Sequence, residues 1–233
     1  MTRVRFSLVV ISAVVGLIAV PAACSAGGLI QSLPADGSYV VFKAKSEFDL
    51  SGNLQSFERE LKVASVGKQD VDGEPGRWIE LETEFAGRKV LAKLLIAEKY
   101  LKADHNPFEH IAKAWGRDRE GMVVELPDAR IRQIMIFALG VPHFNKPEKK
   151  EKQKVKTDLG EYECERQTGT AEVDGPMDTK VKFDGELWVN DKVAFGLVKA
   201  KIKGDLGGLG SIETELEAIK SGTDAKTALP DAK

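Results

Sequence analysis

The sequence predicts an α+β fold that is mainly antiparallel: one curved, half-barrel-like sheet with two short helices covering one face. Apolar and charged residues alternate at a period of two over most of the chain, the pattern of strands with one buried and one wet face. The strand patterns follow one another without helices between them, which argues against the crossover units of a parallel sheet. Only the middle of the chain changes to helical spacing, and it supplies the covering layer.

The elements follow in chain order. Residues 1–26 have the layout of a secretory signal: Arg3 and Arg5, then the apolar run 6–20, then small residues (PAACSAGG). That run of about 15 residues is short of the ~20 an α-helix needs to cross a bilayer. No later segment is long enough either. The expectation is an exported chain of the periplasm or cell envelope. Cys24-Ser25-Ala26 fits cleavage before Gly27. Ala22-Ala23-Cys24 also resembles the end of a bacterial lipoprotein box, with Pro21 where that box usually has Leu; on this alternative Cys24 carries lipid and tethers the protein to a membrane. After either cut Cys164 has no thiol partner, so no disulfide is expected.

Residues 27–37 have the composition of a linker. Val40, Phe42, Ala44, Phe48 and Leu50 then alternate with Lys43, Lys45, Glu47 and Asp49, and Ser51-Gly52-Asn53 turns the chain. Phe57, Leu61 and Val63 give a second strand. After the break at residues 72–76, Ile79, Leu81, Thr83 and Phe85 pair as a hairpin with Val90, Ala92, Leu94 and Ile96 across Ala86-Gly87. Asn106-Pro107 with Glu109 reads as a capped helix start, and Phe108, Ile111, Ala112 and Trp115 fall at helical spacing, predicting a helix near 107–115. A short strand near 122–126 follows. A second helix is expected over 129–139, capped by Asp128 and closed by Gly140, with Ile131, Ile134, Met135, Ala138 and Leu139 on one face and Phe137 off it. A helix apolar on nearly all sides is buried on nearly all sides, or meets a partner or ligand. The lysine-rich stretch 146–158 reads as a solvated loop. Strand patterns return at 162–166, 170–173, 181–189, 193–203 and 212–219, and residues 222–233 are expected to be a disordered tail. No repeat divides the chain, and residues 38–221 read as a single domain.

The charges and rare residues narrow the function. With 34 Lys+Arg against 36 Asp+Glu the chain has no basic excess for nucleic acid. His105, His110 and Glu109 miss the zinc-protease spacings, and His143 lies far along the chain, so neither a metal nor a cofactor is expected. Cys164 lacks the basic surroundings of a nucleophile apart from Arg166. No Gly-x-Ser-x-Gly is present, and residues 204–210 lack the spacing of a phosphate loop. No residue set supports catalysis.

Residues 188–199 (WVNDKVAFGLVK) are similar to a strand–turn–strand phrase of exported bacterial β-rich proteins, with Ala194 in place of its proline, and Glu161-Tyr162-Glu163-Cys164 resembles the strand opening that half. With the order of elements, the chain resembles the periplasmic lipoprotein-carrier superfamily. That resemblance implies a signal peptide, a half-barrel sheet and helices plugging an apolar cavity for acyl chains; it carries over no functional residue. The expectation is therefore a non-enzymatic envelope protein binding an apolar ligand or lipid at Phe108, Ile111, Trp115, Ile131, Ile134, Met135 and Phe137. The alternative is a structural or protein-interaction lipoprotein whose core closes on itself.

Overall fold

The computed structural model describes residues 28–50, 52–85, 87–102, 105–118, 120–127, 131, 134, 142–144, 148–174 and 180–229. The expected leader with Cys24, and Met135 and Phe137 in the second expected helix, lie outside the described residues. Eleven strands are defined: β1 (Tyr39–Leu50), β2 (Asn53–Val71), β3 (Glu74–Phe85), β4 (Arg88–Ala97), β5 (Ile111–Arg117), β6 (Val123–Glu125), β7 (Glu148–Thr157), β8 (Gly160–Asp174), β9 (Lys180–Val189), β10 (Leu197–Asp205) and β11 (Gly210–Gly222). They form one curved, unclosed sheet in the order β6-β5-β4-β3-β2-β1-β11-β10-β9-β8-β7, and its recorded strand pairings are antiparallel. Each half is a meander, and β1 and β11 join the two halves in the middle.

The alternation in the sequence sets the faces. Val40, Phe42, Ala44 and Ser46 of β1 are fully buried on the inner face, while Lys43 and Lys45 point out. The outer face carries charge in stripes. Lys199, Lys201 and Lys203 of β10 stand opposite Glu217, Glu215 and Glu213 of β11, which stand beside Lys43 and Lys45 of β1, which in turn face Glu60 and Glu58 of β2. The pairs Lys203–Glu213 (2.7 Å) and Lys199–Glu215 (2.6 Å) close this ladder, and the hydrogen bond from Lys199 holds the Glu215 carboxyl below the usual carboxylate range. Such exposed pairs add little stability each; their effect is to keep the outer face wet. The β2–β3 turn is Asp72-Gly73 with φ of 51° and 84°, the left-handed pair that a two-residue hairpin requires.

Beyond Leu61 and Thr83 the pairing of β2 with β3 stops, and the chain splays there. Thr83 Oγ1 closes the fork by donating to Glu60 O at 2.8 Å. At the other end of the sheet β7 curls back far enough to touch β11, so the C-terminal half forms the tighter cup.

Four expectations are corrected. Among the described residues there is no helix of seven or more residues, so the two-helix lid is not supported. The cap at Asn106 forms, since its side chain accepts from Phe108 N, but only a 3-10 turn, Pro107–Glu109, follows before the chain enters β5. The free edge of β4 overrides the helical spacing: its inner residues Ala92, Leu94 and Ile96 pair with Gly116, Ala114 and Ile111. The lysine-rich stretch is strand β7 rather than a loop, because β8 sets Glu165, Glu163 and Glu161 opposite Lys152, Lys154 and Lys156. The linker is not free: Leu29 and Ile30 are each 1% exposed, and Gln31 N donates to Phe195 O. The tail is held to residue 229, by Ala225 N on Gly37 O and by Ala228 N on Glu80.

Candidate functional site

The inner face of the sheet is the candidate site, and what covers it decides what it can do. Ala114 and Gly116 of β5 are small, and the place a side chain would take at Gly116 is filled by Leu126, 2.8 Å away. Leu126 follows β6 and is hydrogen-bonded through its N–H to Ala114 O. Ile131 and Ile134, both 8% exposed, continue the cover. Together with Leu81, Ala92, Leu94 and Leu126 they line a crevice that has no room for a water molecule.

Phe144 covers the other half. It is fully buried, and its ring lies across Gly169 of β8 and Gly185 of β9, which are cross-strand partners. A Cβ at Gly169 would stand 2.9 Å from Phe144 Cβ, and one at Gly185 would collide with the Cζ edge of the ring. Glycine in a strand interior marks such a close approach. Beside it Gln167 is 2% exposed; its amide donates to Glu165 Oε1 at 2.9 Å, while its own Oε1 has no partner among the described residues.

One polar band crosses the inner face at the forked end. Ser46 of β1 and Thr214 of β11 share a hydrogen bond of 3.1 Å, and Arg59 of β2 donates to Ser46 Oγ at 3.2 Å. Burial lowers the Arg59 pKa from its ordinary value. Next to it, between β2 and the β3–β4 hairpin, an open groove of about 790 Å³ is lined by Phe57, Arg59, Thr83 and surrounding Glu and Lys side chains.

The expected site residues are not all brought together. Ile131 and Ile134 lie over the inner face, and Phe108 and Ile111 pack half-buried against the core. Trp115 does not join them: it pairs with Lys93 on the outer face, since in a strand it must point opposite to Ala114 and Gly116. Leu29, Ile30, Leu126, Phe144 and Arg59 complete the inner surface and were not expected there. The paired strand glycines are the signal that could have revealed Phe144.

The histidines form a second cluster, at the end of the sheet where β4 passes to β5. Tyr100 stacks on His110 with ring centroids 3.7 Å apart and meets His105 edge-on at 5.4 Å. His143 is half-buried against Gly28; the loss of solvent around it, with His105 adding to it against Glu109, pushes its pKa down to about 4. Among the described residues no group of three His, Cys, Asp or Glu side chains could hold a metal ion. Cys164 is fully buried, its Sγ 3.7 Å from Tyr162 O, and burial pushes the thiol up to about 11. No helix among the described residues is long and apolar enough to cross a membrane.

No protein-family model matches the chain, and no curated protein matches it. Solved structures do. A Bacteroides fragilis protein named for export and a YmcC-like fold is 9% identical, with a TM-score of 0.39, covering 84% of this chain and 100% of its own. A Parabacteroides distasonis protein named as a lipoprotein is 12% identical, with a TM-score of 0.40 over the same shares of the two chains, 84% and 100%. A Vibrio parahaemolyticus domain named for outer-membrane lipoprotein sorting is 9% identical, with a TM-score of 0.31, covering 85% of this chain and 89% of its own. At these identities no side chain of this protein acquires a role from them; the chain is similar to exported, lipoprotein-related β-rich proteins.

Proposed function

We propose that this is a non-enzymatic protein of the cell envelope whose inner sheet face takes up an apolar or acyl ligand when the side chains of Leu126, Ile131, Ile134 and Phe144 give way to it. The observation that carries the reading is the nature of that cover. Leu126, Ile131, Ile134 and Phe144 lie on the sheet mainly through apolar contact; the backbone adds the bond from Leu126 N to Ala114 O and an isolated bridge at Phe144. Apolar contact is non-directional and worth roughly 25 cal/mol per Å², so an acyl chain can replace it surface for surface. The polar band of Arg59, Ser46 and Thr214 gives the same face one end that suits a head group.

The leader-like composition of residues 1–26 supports export. If Cys24 carries lipid, the four residues from it to Gly28 span at most about 14 Å. The fold is then held against the membrane by the end that bears Gly28 and His143. Mass spectrometry of the mature N-terminus distinguishes a lipidated Cys24 from a chain starting at Gly27.

The test of binding is a titration with a fluorescent fatty acid. Saturable binding is expected, weakened by about tenfold or more in Ile134→Asp, Met135→Asp or Phe137→Asp variants that keep the native circular dichroism. Unchanged binding in the folded variants counts against the site. A second reading, a scaffold or interaction lipoprotein with a closed core, is favoured by the crevice under Ile131 and Ile134 that admits no water. It predicts no uptake at any ligand concentration.

A further inference from the structure

Much of the outer face of this sheet is wet and charged, but among the described residues one stretch of it is not. On β3 and β4, Trp78, Glu80, Leu91, Lys93 and Leu95 all point outward and all are at most 7% exposed. Glu80 and Lys93 are direct cross-strand partners, 5% and 3% exposed. Buried charges need close partners, and here the C-terminal segment supplies part of them.

Residues 223–229 leave β11, and Ala225 N donates to Gly37 O at 2.9 Å. The chain then lies across β3, β4 and β5. Ala228 N donates to both oxygens of Glu80, at 2.8 and 2.9 Å. Ala228 O accepts from Arg117 of β5 at 3.2 Å. Leu229 O accepts from Lys93 at 3.5 Å, and Lys93 itself sits 5.0 Å over the Trp78 ring. The Leu229 side chain is fully buried, whereas Asp224, Lys226, Thr227 and Ala228 are exposed.

This is how a peptide is read: a carboxylate takes a backbone N–H, two cations take successive carbonyls, and one apolar side chain fills a pocket. We propose that the outer face of β3–β5 is a recognition site for an extended segment carrying a small residue followed by Leu, filled in cis by Ala228 and Leu229 and open in trans to the same segment of a second copy of this chain. Exchange follows from the anchoring. Among the described residues one buried side chain and a few hydrogen bonds hold the strap at the end of an exposed connection, so it opens locally while the sheet stays folded. Two copies that swap straps lose no contact, and the dimer forms by mass action.

The experiment uses the full chain carrying Leu229→Glu, which unseats its own strap, and a fluorescein-labelled peptide of residues 222–233 with the native sequence. Saturable binding is expected, weakened about tenfold or more when Glu80→Gln is added, since the charge-assisted bonds are lost. No binding to the folded variant, or binding indifferent to Glu80→Gln, overturns the assignment. Where Leu229→Glu does not fold, amide exchange on the unmodified chain decides. Exchange at Ala228 roughly 100-fold faster than at Ile79 and Leu94 supports an opening strap, and exchange at the same rate makes the strap a fixed part of the fold and overturns exchange.

Discussion

Phe144 and the two glycines beneath it show how much of this fold rests on single side chains. A methyl group at Gly185 has nowhere to go while the Phe144 ring lies across it. Gly185→Ala is therefore expected to destabilise by about 1–3 kcal/mol, the usual cost of overpacking a filled interior. Adding Phe144→Leu should return part of that loss, and urea denaturation of the single and double variants checks both. Cys164 behaves oppositely to a reactive thiol. With its pKa pushed up to about 11 by burial, it should ignore a thiol reagent in the native protein and react fully in denaturant. His143 gives a pH dependence of definite sign. Its folded pKa of about 4 lies below the ordinary 6.5, chiefly through burial, so the unfolded chain takes up the proton first. Its contribution to stability is complete above pH 6.5 and is lost as the pH falls from there through about 4. Equilibrium unfolding across that window should show a slope that His143→Gln flattens. None of these three environments could be read from the residue alone. A cysteine and a histidine look the same in sequence whether buried or exposed, and only the glycines, out of place in strands, pointed to a close neighbour.

At the level of elements, period-two alternation was legible wherever one face of a strand is buried and the other wet. β1 is the clearest instance, with Val40, Phe42 and Ala44 set against Lys43 and Lys45. It misled where both signals were present. Phe108, Ile111 and Trp115 have helical spacing, yet Ile111 and Trp115 are also good strand formers, and the unpaired edge of β4 decided between the two. Gly116→Val tests that assignment: it should expel Leu126 from its place on β5 and cost about 1–3 kcal/mol, whereas the end of a helix would tolerate it. The lysine-rich stretch misled for another reason. Its charges read as a loop because Glu161, Glu163 and Glu165, which face Lys156, Lys154 and Lys152, lie on the next strand, and within the stretch only the Lys150–Glu148 pair is recorded among the described residues. As an edge strand, β7 uses lysine to discourage pairing with other chains. Replacing Lys150, Lys152 and Lys154 with Val or Thr should leave the fold intact and shift the protein toward larger assemblies in size-exclusion chromatography.

The whole molecule is a single sheet with two unlike surfaces. The outer one carries stripes of Lys and Glu that pair with each other, and over β3–β5 it is covered by the C-terminal strap. The inner one is largely apolar from β5 to β9, apart from the band of Arg59, Ser46 and Thr214 at its forked end, and is covered by side chains of the connecting segments. The curved antiparallel sheet was legible in the sequence, as was the apolar character of Ile131 and Ile134, but the rest of the cover was not. Leu29, Ile30 and Phe144 come from stretches without periodicity, and only tertiary contact assigns them to the core. The function follows from whether that cover yields. The most direct measurement is a methyl NMR titration of the Ile/Leu/Val-labelled chain with palmitate. Displacement of the cover predicts that the methyls of Ile131, Ile134, Leu81 and Leu94 shift together and saturate near one ligand per chain, while Leu216 at the centre of the sheet stays put. Methyl resonances that do not move in the folded protein would contradict ligand uptake and leave a closed scaffold.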